Sequence, residues 1–476
     1  MQSSRFPRTF LATAIAGALL TAAGGAHASS FALVESSASG LGTAYAGAAA
    51  IADDAATVWW NPAGMTRMSG PTASAVLHSI TPSAKFSNDS SAAACLSAAA
   101  CRPLGSTGGD AGDTAWVPSM YAVLPVSSSL ALGFGVSAPF GLKTEYDPDW
   151  IGRYQAIKSD VKTVNMNPSV AFKVNDMISI GAGANYQKID AELTSAVNIS
   201  GVMGLAAQAG AIPATLVNSV IGASLAVPDG QARLKGDDTA YGWNFGVMFN
   251  LAPQTRVGLS YRSSIKYDVR GDVTFTLPTV AATSTANGVM AQVLGALSQP
   301  GQRLASGPVK ASIEVPDSWS LSLAHQLSPQ LQLLADVSRT GWSSIPKLEF
   351  LRTTGEVVGT PAIYDWKDTW RYSVGANWKL NDRLTLRGGL AFDQTPMDEA
   401  HRTPRLPDGD RTWLSMGARY AVMPNLLLDF GYTHIFIKDP TIRARNDGST
   451  AGNALIDGTY ANDVNIFSAS LSYTFK

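Results

Sequence analysis

Residues able to do chemistry are sparse in this chain of 476 amino acids. Its five histidines, His27, His78, His325, His401 and His434, lie on separate segments, and none accompanies a nucleophile context such as Gly-x-Ser-x-Gly. A hydrolase needs a Ser or Asp activated by His, so no catalytic residue is expected. Cys95 and Cys101 are too few for a structural zinc site. Six residues apart in a small-residue stretch, they read as a disulfide closing one exposed loop in an oxidising compartment, with two unpaired thiols as the alternative. Asp408-Gly409-Asp410 lacks the further oxygen ligands at EF-hand spacing and reads as a polar turn. With no Walker loop, dinucleotide fingerprint or Cys/His metal spacing, no cofactor or metal is expected.

The elements that carry these residues are those of a membrane protein without a membrane helix. Hydrophobic residues make up 46% of the chain and charged ones 15%, which is poor in charge for a soluble surface. Acidic and basic residues balance at 36 against 35, excluding a nucleic-acid partner, which needs clustered and unbalanced Lys and Arg. A polytopic helical protein would show several apolar runs of about 20 residues. The one candidate is N-terminal: Arg5 and Arg8, an apolar run over residues 10–23, then Ala26-His27-Ala28. That pattern predicts a cleaved secretory signal over residues 1–28 and an exported, mildly acidic mature chain.

From about residue 72 the sequence alternates with period two. Phe467, Ala469, Leu471, Tyr473 and Phe475 alternate with Ser468, Ser470, Ser472 and Thr474; residues 370–379 and 384–393 repeat the pattern. A soluble sandwich would turn the polar face to water, and a membrane barrel would turn the apolar face to lipid. Turn spacing separates the two. Short turn signals at residues 126–129, 175–176, 252–254, 328–330, 381–382 and 423–425 each sit between alternating runs. They define six hairpins, and strands at about 72–86 and 463–475 raise the count to fourteen. The remaining connections, near 87–114, 139–155, 196–235, 278–307, 340–365, 396–410 and 440–462, are long. Short turns on one side and long loops on the other predict an all-β, 14-stranded antiparallel transmembrane β-barrel of a Gram-negative outer membrane. Trp116, Tyr121, Tyr261, Trp319, Trp366, Trp378 and Tyr473 lie toward strand ends, where interfacial girdles are expected.

Two long loops carry a helical period. One stripe is Leu216, Val217, Val220, Ile221 and Leu225; the other is Val289, Met290, Val293, Leu294 and Leu297. Each can pack on the barrel rim as a satellite core, and together they can face each other across a groove that collects hydrophobic molecules.

Several segments resemble the FadL family of outer-membrane transporters of long-chain fatty acids and hydrophobic compounds. They are Phe31-Ala32-Leu33-Val34-Glu35, residues 40–47, and Asn61-Pro62-Ala63-Gly64-Met65. Further along come residues 138–142, 165–169, 316–319, 340–343 and 393–396, and Leu406-Pro407-Asp408-Gly409-Asp410-Arg411 with 413–415. The resemblance implies a hatch over residues 29–70 plugging a barrel over 71–476, and capture at a groove between the third and fourth long loops. It further implies transfer to a pocket near the hatch and lateral release beside a kinked third strand, for which Gly133, Gly135, Pro139 and Gly141 are candidates. It places Lys367, and with it Arg371 on the face assigned to the lumen, near a ligand carboxylate. Lys188 resembles a second such position, although parity puts it on the apolar face with Ile178 and Ile180.

The expected function is diffusive uptake of long-chain fatty acids or similar molecules. Aromatic hydrocarbon uptake and a general porin or structural barrel are the alternatives. Outer-membrane lipid, lipopolysaccharide and the barrel-assembly machinery are the expected partners of a monomer. The terminal Phe475-Lys476 departs from the usual final aromatic residue.

Overall fold

The computed structural model describes residues 30–98, 100–445 and 454–475. The expected signal and Lys476 lie outside the described residues. Residues 30–70 fill the interior with three one-turn helices, α1 (Ala38–Leu41), α2 (Ala48–Ile51) and α3 (Thr57–Trp60), and a 3-10 turn, Pro62–Arg67.

Around them, twenty β segments join into fourteen antiparallel strands, six of them interrupted. The uninterrupted ones are β1 (Thr72–Asn88), β2 (Ala115–Pro125), β4 (Lys158–Lys173), β5 (Ile178–Val197), β6 (Gly230–Ala252), β11 (Leu384–Asp393), β12 (Arg411–Met423) and β14 (Leu455–Thr474). The broken ones are β3 (Leu130–Ser137, Gly141–Glu145), β7 (Thr255–Arg262, Ile265–Thr276), β8 (Gly307–Val315, Ser318–Gln326), β9 (Leu331–Thr340, Lys347–Arg352), β10 (Val357–Ile363, Thr369–Lys379) and β13 (Leu426–Ile437, Thr441–Arg445). Strand β1 pairs β14 from Thr72↔Thr474 to Asn88↔Gly458, which closes the barrel.

All six short turns fall where turn chemistry puts them. Asn175 Oδ1 accepts from the N–H groups of Met177 and Ile178, and Asn381 Oδ1 from those of Arg383 and Leu384, each at 2.9 Å. The alternation resolves by what is buried. On β14 the side chains of Ser468, Ser470 and Ser472 are buried, whereas Phe467 is 58% and Leu471 44% exposed. A soluble sandwich would bury the opposite set, so the exposed apolar face is the lipid face. Trp116 and Trp378 lie on it, but Tyr121 and Trp366 are buried inside and do not belong to a girdle. Tyr121 packs with Val58 and Met65 of the interior segment, and Trp366 joins Phe31 and Trp342.

The third and fourth long loops carry α4 (Ile199–Gln208), α5 (Val217–Leu225) and α6 (Thr285–Leu297), which share one apolar cluster. The spacing Ile199, Val202, Met203, Ala206 marks α4 as amphipathic, in addition to the two stripes of α5 and α6 that the sequence predicts. A disulfide joins Cys95 to Cys101 in a small hairpin whose Leu96 lies against Gly204 of α4. Next to it, Arg102 Nη1 donates to the carbonyls of Ser224, Leu225 and Val227 (3.2, 3.1 and 2.8 Å), capping α5. Asp229 receives both Arg102 and Arg153, tying the first three long loops together.

Candidate functional site

The interior segment is held by glycines in the wall. A Cβ added at Gly181 would lie 2.5 Å from the backbone of Ala63 and Pro62, at Gly258 1.9 Å from the Ala49 carbonyl oxygen, and at Gly389 2.2 Å from Thr43. At these lumen-facing positions the hatch backbone comes so close to the strands that no larger side chain fits. Asn61 completes the attachment: its Nδ2 donates to the carbonyls of Ala49 (2.8 Å) and Val247 (3.0 Å), while its Oδ1 accepts from Ala63 N–H. Pro62 and Ala63 sit over Gly181.

Charge fixes the same part. Asp53 meets Arg387 (3.2 Å) and Arg419 (2.8 Å), which also share the fully buried Asp429 at 3.1 and 2.8 Å. Arg371 is buried in the lumen, donates to the Ala44 carbonyl (2.7 Å) and lies over the Trp413 ring. It therefore holds the hatch.

The outer end of the hatch is attached differently. Strand β3 breaks at residues 138–140, where Pro139 supplies no N–H donor. Below the break it pairs with β2 from Met120↔Val136 to Pro125↔Ala131; above it, Gly141–Glu145 pairs with β4. Residues 115–119 of β2 thus have no partner in β3, and the wall has a gap there. The hatch end lies against this break, with Leu33 N–H donating to Pro139 (2.8 Å), Gly141 N–H donating to Phe31 (3.0 Å), and Ala32 opposite Phe140. Gly141 starts the upper segment. Gly133 and Gly135 do not form the break: they lie in the paired lower segment, where Gly133 makes room for Met65 and Val58, and Gly135 for Tyr121.

Four cavities follow one another, each sharing lining residues with the next. An outer groove of ≈ 530 Å³ lies between α4 (Val202, Leu205, Ala206) and α6 (Val289, Val293, Leu297). Through Arg303 and Leu304 it adjoins a vestibule of ≈ 360 Å³. Leu193, Leu348, Phe350, Tyr364 and Arg405 connect the vestibule to an apolar throat of ≈ 90 Å³. Phe31, Leu142, Val161 and Leu406 are common to the throat and an inner pocket of ≈ 370 Å³, which reaches Trp116, Pro118 and Val164 at the wall gap. Phe31 stands at that junction, packed on Phe140, Trp342 and Trp366 at centroid distances of 5.6, 5.1 and 6.1 Å.

Three sets of expected ligand residues lie elsewhere. Leu216, Val220 and Ile221 do not line the groove; Val220 is wholly buried in the satellite core, and the wall facing α6 is α4. Lys188 keeps its parity and points outward, paired with Asp190 (2.9 Å) and Asp237 (3.5 Å). Lys367 also points away from the path and pairs with Asp398 at 3.6 Å. Parity counted from Arg371 fails at Lys367 because residues 364–368 leave the ladder between the two segments of β10, where Asp365 has φ 44°. Asp408 and Asp410 form a clip, with Asp408 accepting from Thr395 Oγ1 (3.0 Å) and from Arg411 Nη2 (2.9 Å), which also donates to Ser30 O. No group of three or more His, Cys, Asp or Glu that could hold a metal occurs among the described residues. Sequence reading missed Phe31 as a junction and the arginines of the vestibule, whose only sequence trace is the close spacing Arg402-x-x-Arg405 and Arg443-x-Arg445.

A family model described as outer membrane protein transport protein (OMPP1/FadL/TodX) matches residues 19–475. The chain is 30% identical over 479 residues to the long-chain fatty acid transport protein of Escherichia coli strain K12, covering 97% of this chain and 99% of that protein. It is 31% identical over 486 residues to outer membrane protein P1 of Haemophilus influenzae strain Rd, covering 99% and 100%. The crystal structure of a Pseudomonas aeruginosa FadL homologue matches with a TM-score of 0.81 at 26% identity, covering 94% of this chain and all of that one.

Proposed function

The chain belongs to the OMPP1/FadL/TodX family of outer membrane transport proteins, and from that membership we propose that it carries long-chain fatty acids, or hydrophobic molecules of similar length, across the outer membrane by diffusion. Members of this family are outer-membrane channels and not enzymes. In our reading, cargo collects in the α4–α6 groove, passes vestibule and throat, displaces the hatch end and leaves sideways through the gap between β2 and β3. Burial of methylene groups, at about 0.8 kcal/mol each, drives entry without a motor. One chain suffices, since the whole path lies within it.

The observation that carries the reading is the position of residues 31–33: they pair with the broken strand and separate the throat from the wall pocket. Ala32 and Phe140 oppose each other across that pairing, so an Ala32→Cys/Phe140→Cys variant can form a disulfide. Reconstituted in liposomes, the oxidised variant should admit oleate no faster than empty liposomes do, and reduction should restore entry. The unsubstituted protein under the same reductant controls for Cys95–Cys101. Entry at the unsubstituted rate with the cross-link closed would refute lateral passage.

A further inference from the structure

The vestibule differs in charge from the rest of the molecule. Among the described residues lining it are Arg303, Arg402, Arg405, Arg443 and Arg445, with His401 and neither Asp nor Glu. The whole chain, by contrast, holds 36 acidic residues against 35 basic ones. Arg405 stands at the inner end, where it lines both vestibule and throat, and among the described residues it is the one charged side chain lining the throat.

Enclosed arginines here fall into two groups: Arg262, Arg371 and Arg402, like Arg405, donate to neutral acceptors, and of these only Arg405 is among the described residues lining the throat, whereas others hold carboxylates. Arg387 and Arg419 hold Asp429, Arg411 holds Asp408, and Arg153 holds Asp229. The Arg405 guanidinium donates to neutral atoms: Nη1 to the Lys158 carbonyl and to Ser159 Oγ, both at 3.2 Å, and Nη2 to the Thr194 carbonyl at 3.5 Å. Among the described residues no carboxylate lies within ion-pairing distance of it. A guanidinium removed from water without a counter-charge is costly, and a carboxylate offsets that cost with two parallel charge-assisted hydrogen bonds. The tube beyond it is apolar, lined by Leu142, Val161, Leu193 and Ile313 among others. A molecule with a carboxylate at one end and a long apolar chain at the other satisfies both environments at once.

We propose that Arg405, at the mouth of the throat and backed by the vestibule arginines, is a specificity-determining carboxylate site that favours long-chain monocarboxylates over neutral chains of the same length. This rests on the transport reading above and names its substrate class. It also places carboxylate recognition in the loops, since Lys188 and Lys367 face away from the path. Arg445 is exposed at the vestibule, with Arg443 beside it paired to Asp457 at 3.2 Å, and the net positive potential there raises the local concentration of anions.

The test is equilibrium binding of oleate and of oleyl alcohol to the full-length protein in liposomes, with entry measured separately. Arg405→Gln removes the charge while keeping N–H donors for the Lys158 carbonyl and Ser159. It should weaken oleate by about tenfold, the scale of a hydrogen bond to a charged group, and leave oleyl alcohol within about twofold. Arg405→Lys should recover part of the oleate loss. Arg443→Gln/Arg445→Gln should slow oleate association and reduce its salt dependence, leaving oleyl alcohol unchanged. Equal weakening of both ligands by Arg405→Gln, or unchanged oleate binding, would overturn the assignment. If neither ligand enters liposomes through the unsubstituted protein, the transport reading fails, while the binding ratio still decides the role of Arg405.

Discussion

Gly258→Ala adds one methyl group to the barrel wall and should loosen the hatch while leaving the barrel intact. The added Cβ would lie 1.9 Å from the Ala49 carbonyl oxygen and 2.4 Å from its carbon, so α2 must recede by about 1.5 Å to reach the 3.4 Å of ordinary contact. That movement reaches every bond holding α2. Ala49 N–H donates to Ser322 Oγ at 3.0 Å, Asn61 Nδ2 donates to the Ala49 carbonyl at 2.8 Å, and Arg256 Nε donates to the Ala50 carbonyl at 3.1 Å. Overpacking costs about 1–3 kcal/mol, and two of these bonds lost add about 1 kcal/mol each, giving roughly 3–5 kcal/mol against the docked hatch. Gly258 pairs with Met248 and Ser322 through its backbone, which a methyl group does not alter, so the barrel ladder should survive. Hydrogen exchange of residues 48–60, read beside that of β7, is the assay: hatch amides should lose protection by two or more orders of magnitude while β7 amides keep theirs. In planar bilayers the variant should show steady ion current above that of the unsubstituted protein. Unchanged hatch protection would refute the claim that these wall glycines seat the plug.

Glu35 gives a pH dependence. Burial pushes its carboxyl up to about 7, against the opposing pull of a backbone hydrogen bond, Arg411 and Arg371 and with a further push from Asp393. Its favourable contribution to docking is complete below the ordinary value near 4.5 and is lost as pH rises through about 7. A fluorophore on the hatch end should therefore report tighter docking at pH 5 than at pH 8, and Glu35→Gln should flatten the profile; an unchanged slope in that variant would count against Glu35. Asp229→Asn removes the negative charge that Arg102 and Arg153 share and replaces one acceptor oxygen by an NH2 group, at about 2 kcal/mol after allowing for its partial exposure. Because Arg102 also caps α5, amides of Val217–Leu225 should exchange faster in that variant, and unaltered exchange would show that the strap is not needed.

What could be read in the sequence was local. Period-two alternation and Asn or Ser turns are written within a few residues, so fourteen strands and six tight turns are countable from the residues alone. Which face met lipid could not, because sandwich and barrel share the alternation; buried Ser470 beside exposed Leu471 decided it. Lys367 shows where parity stops serving. Counting by twos assumes an unbroken strand, and the ladder breaks at residues 364–368. The vestibule arginines come from separate loops, and only folding brings Arg303 near Arg445. The helix α4 was legible at its own spacing, but its run of Gly, Ala and Ser weakens the apolar stripe that marks α5 and α6.

The two ends of the hatch are fastened with unequal strength, and this decides which part can move. Its inner part carries Asp53 against two arginines, Asn61 with three hydrogen bonds, and glycine sockets along the wall. Releasing it would break the Asp53 contacts, at about 1.5 kcal/mol each because both arginines keep Asp429, and the three bonds of Asn61 at about 1 kcal/mol each, besides the packing in the glycine sockets. The outer end is held by the bonds at Leu33, Gly141 and Ser30 and by the burial of Phe31. At about 1 kcal/mol per hydrogen bond and about 2 for the phenyl ring, its attachment is worth roughly 5 kcal/mol. Burying about six methylene groups at 0.8 kcal/mol each offsets that much. On the route we propose, a long acyl chain that enters the throat would thus displace residues 30–34 by its own burial without expelling the plug. The path would then open sideways at the β3 break while the barrel axis stays closed.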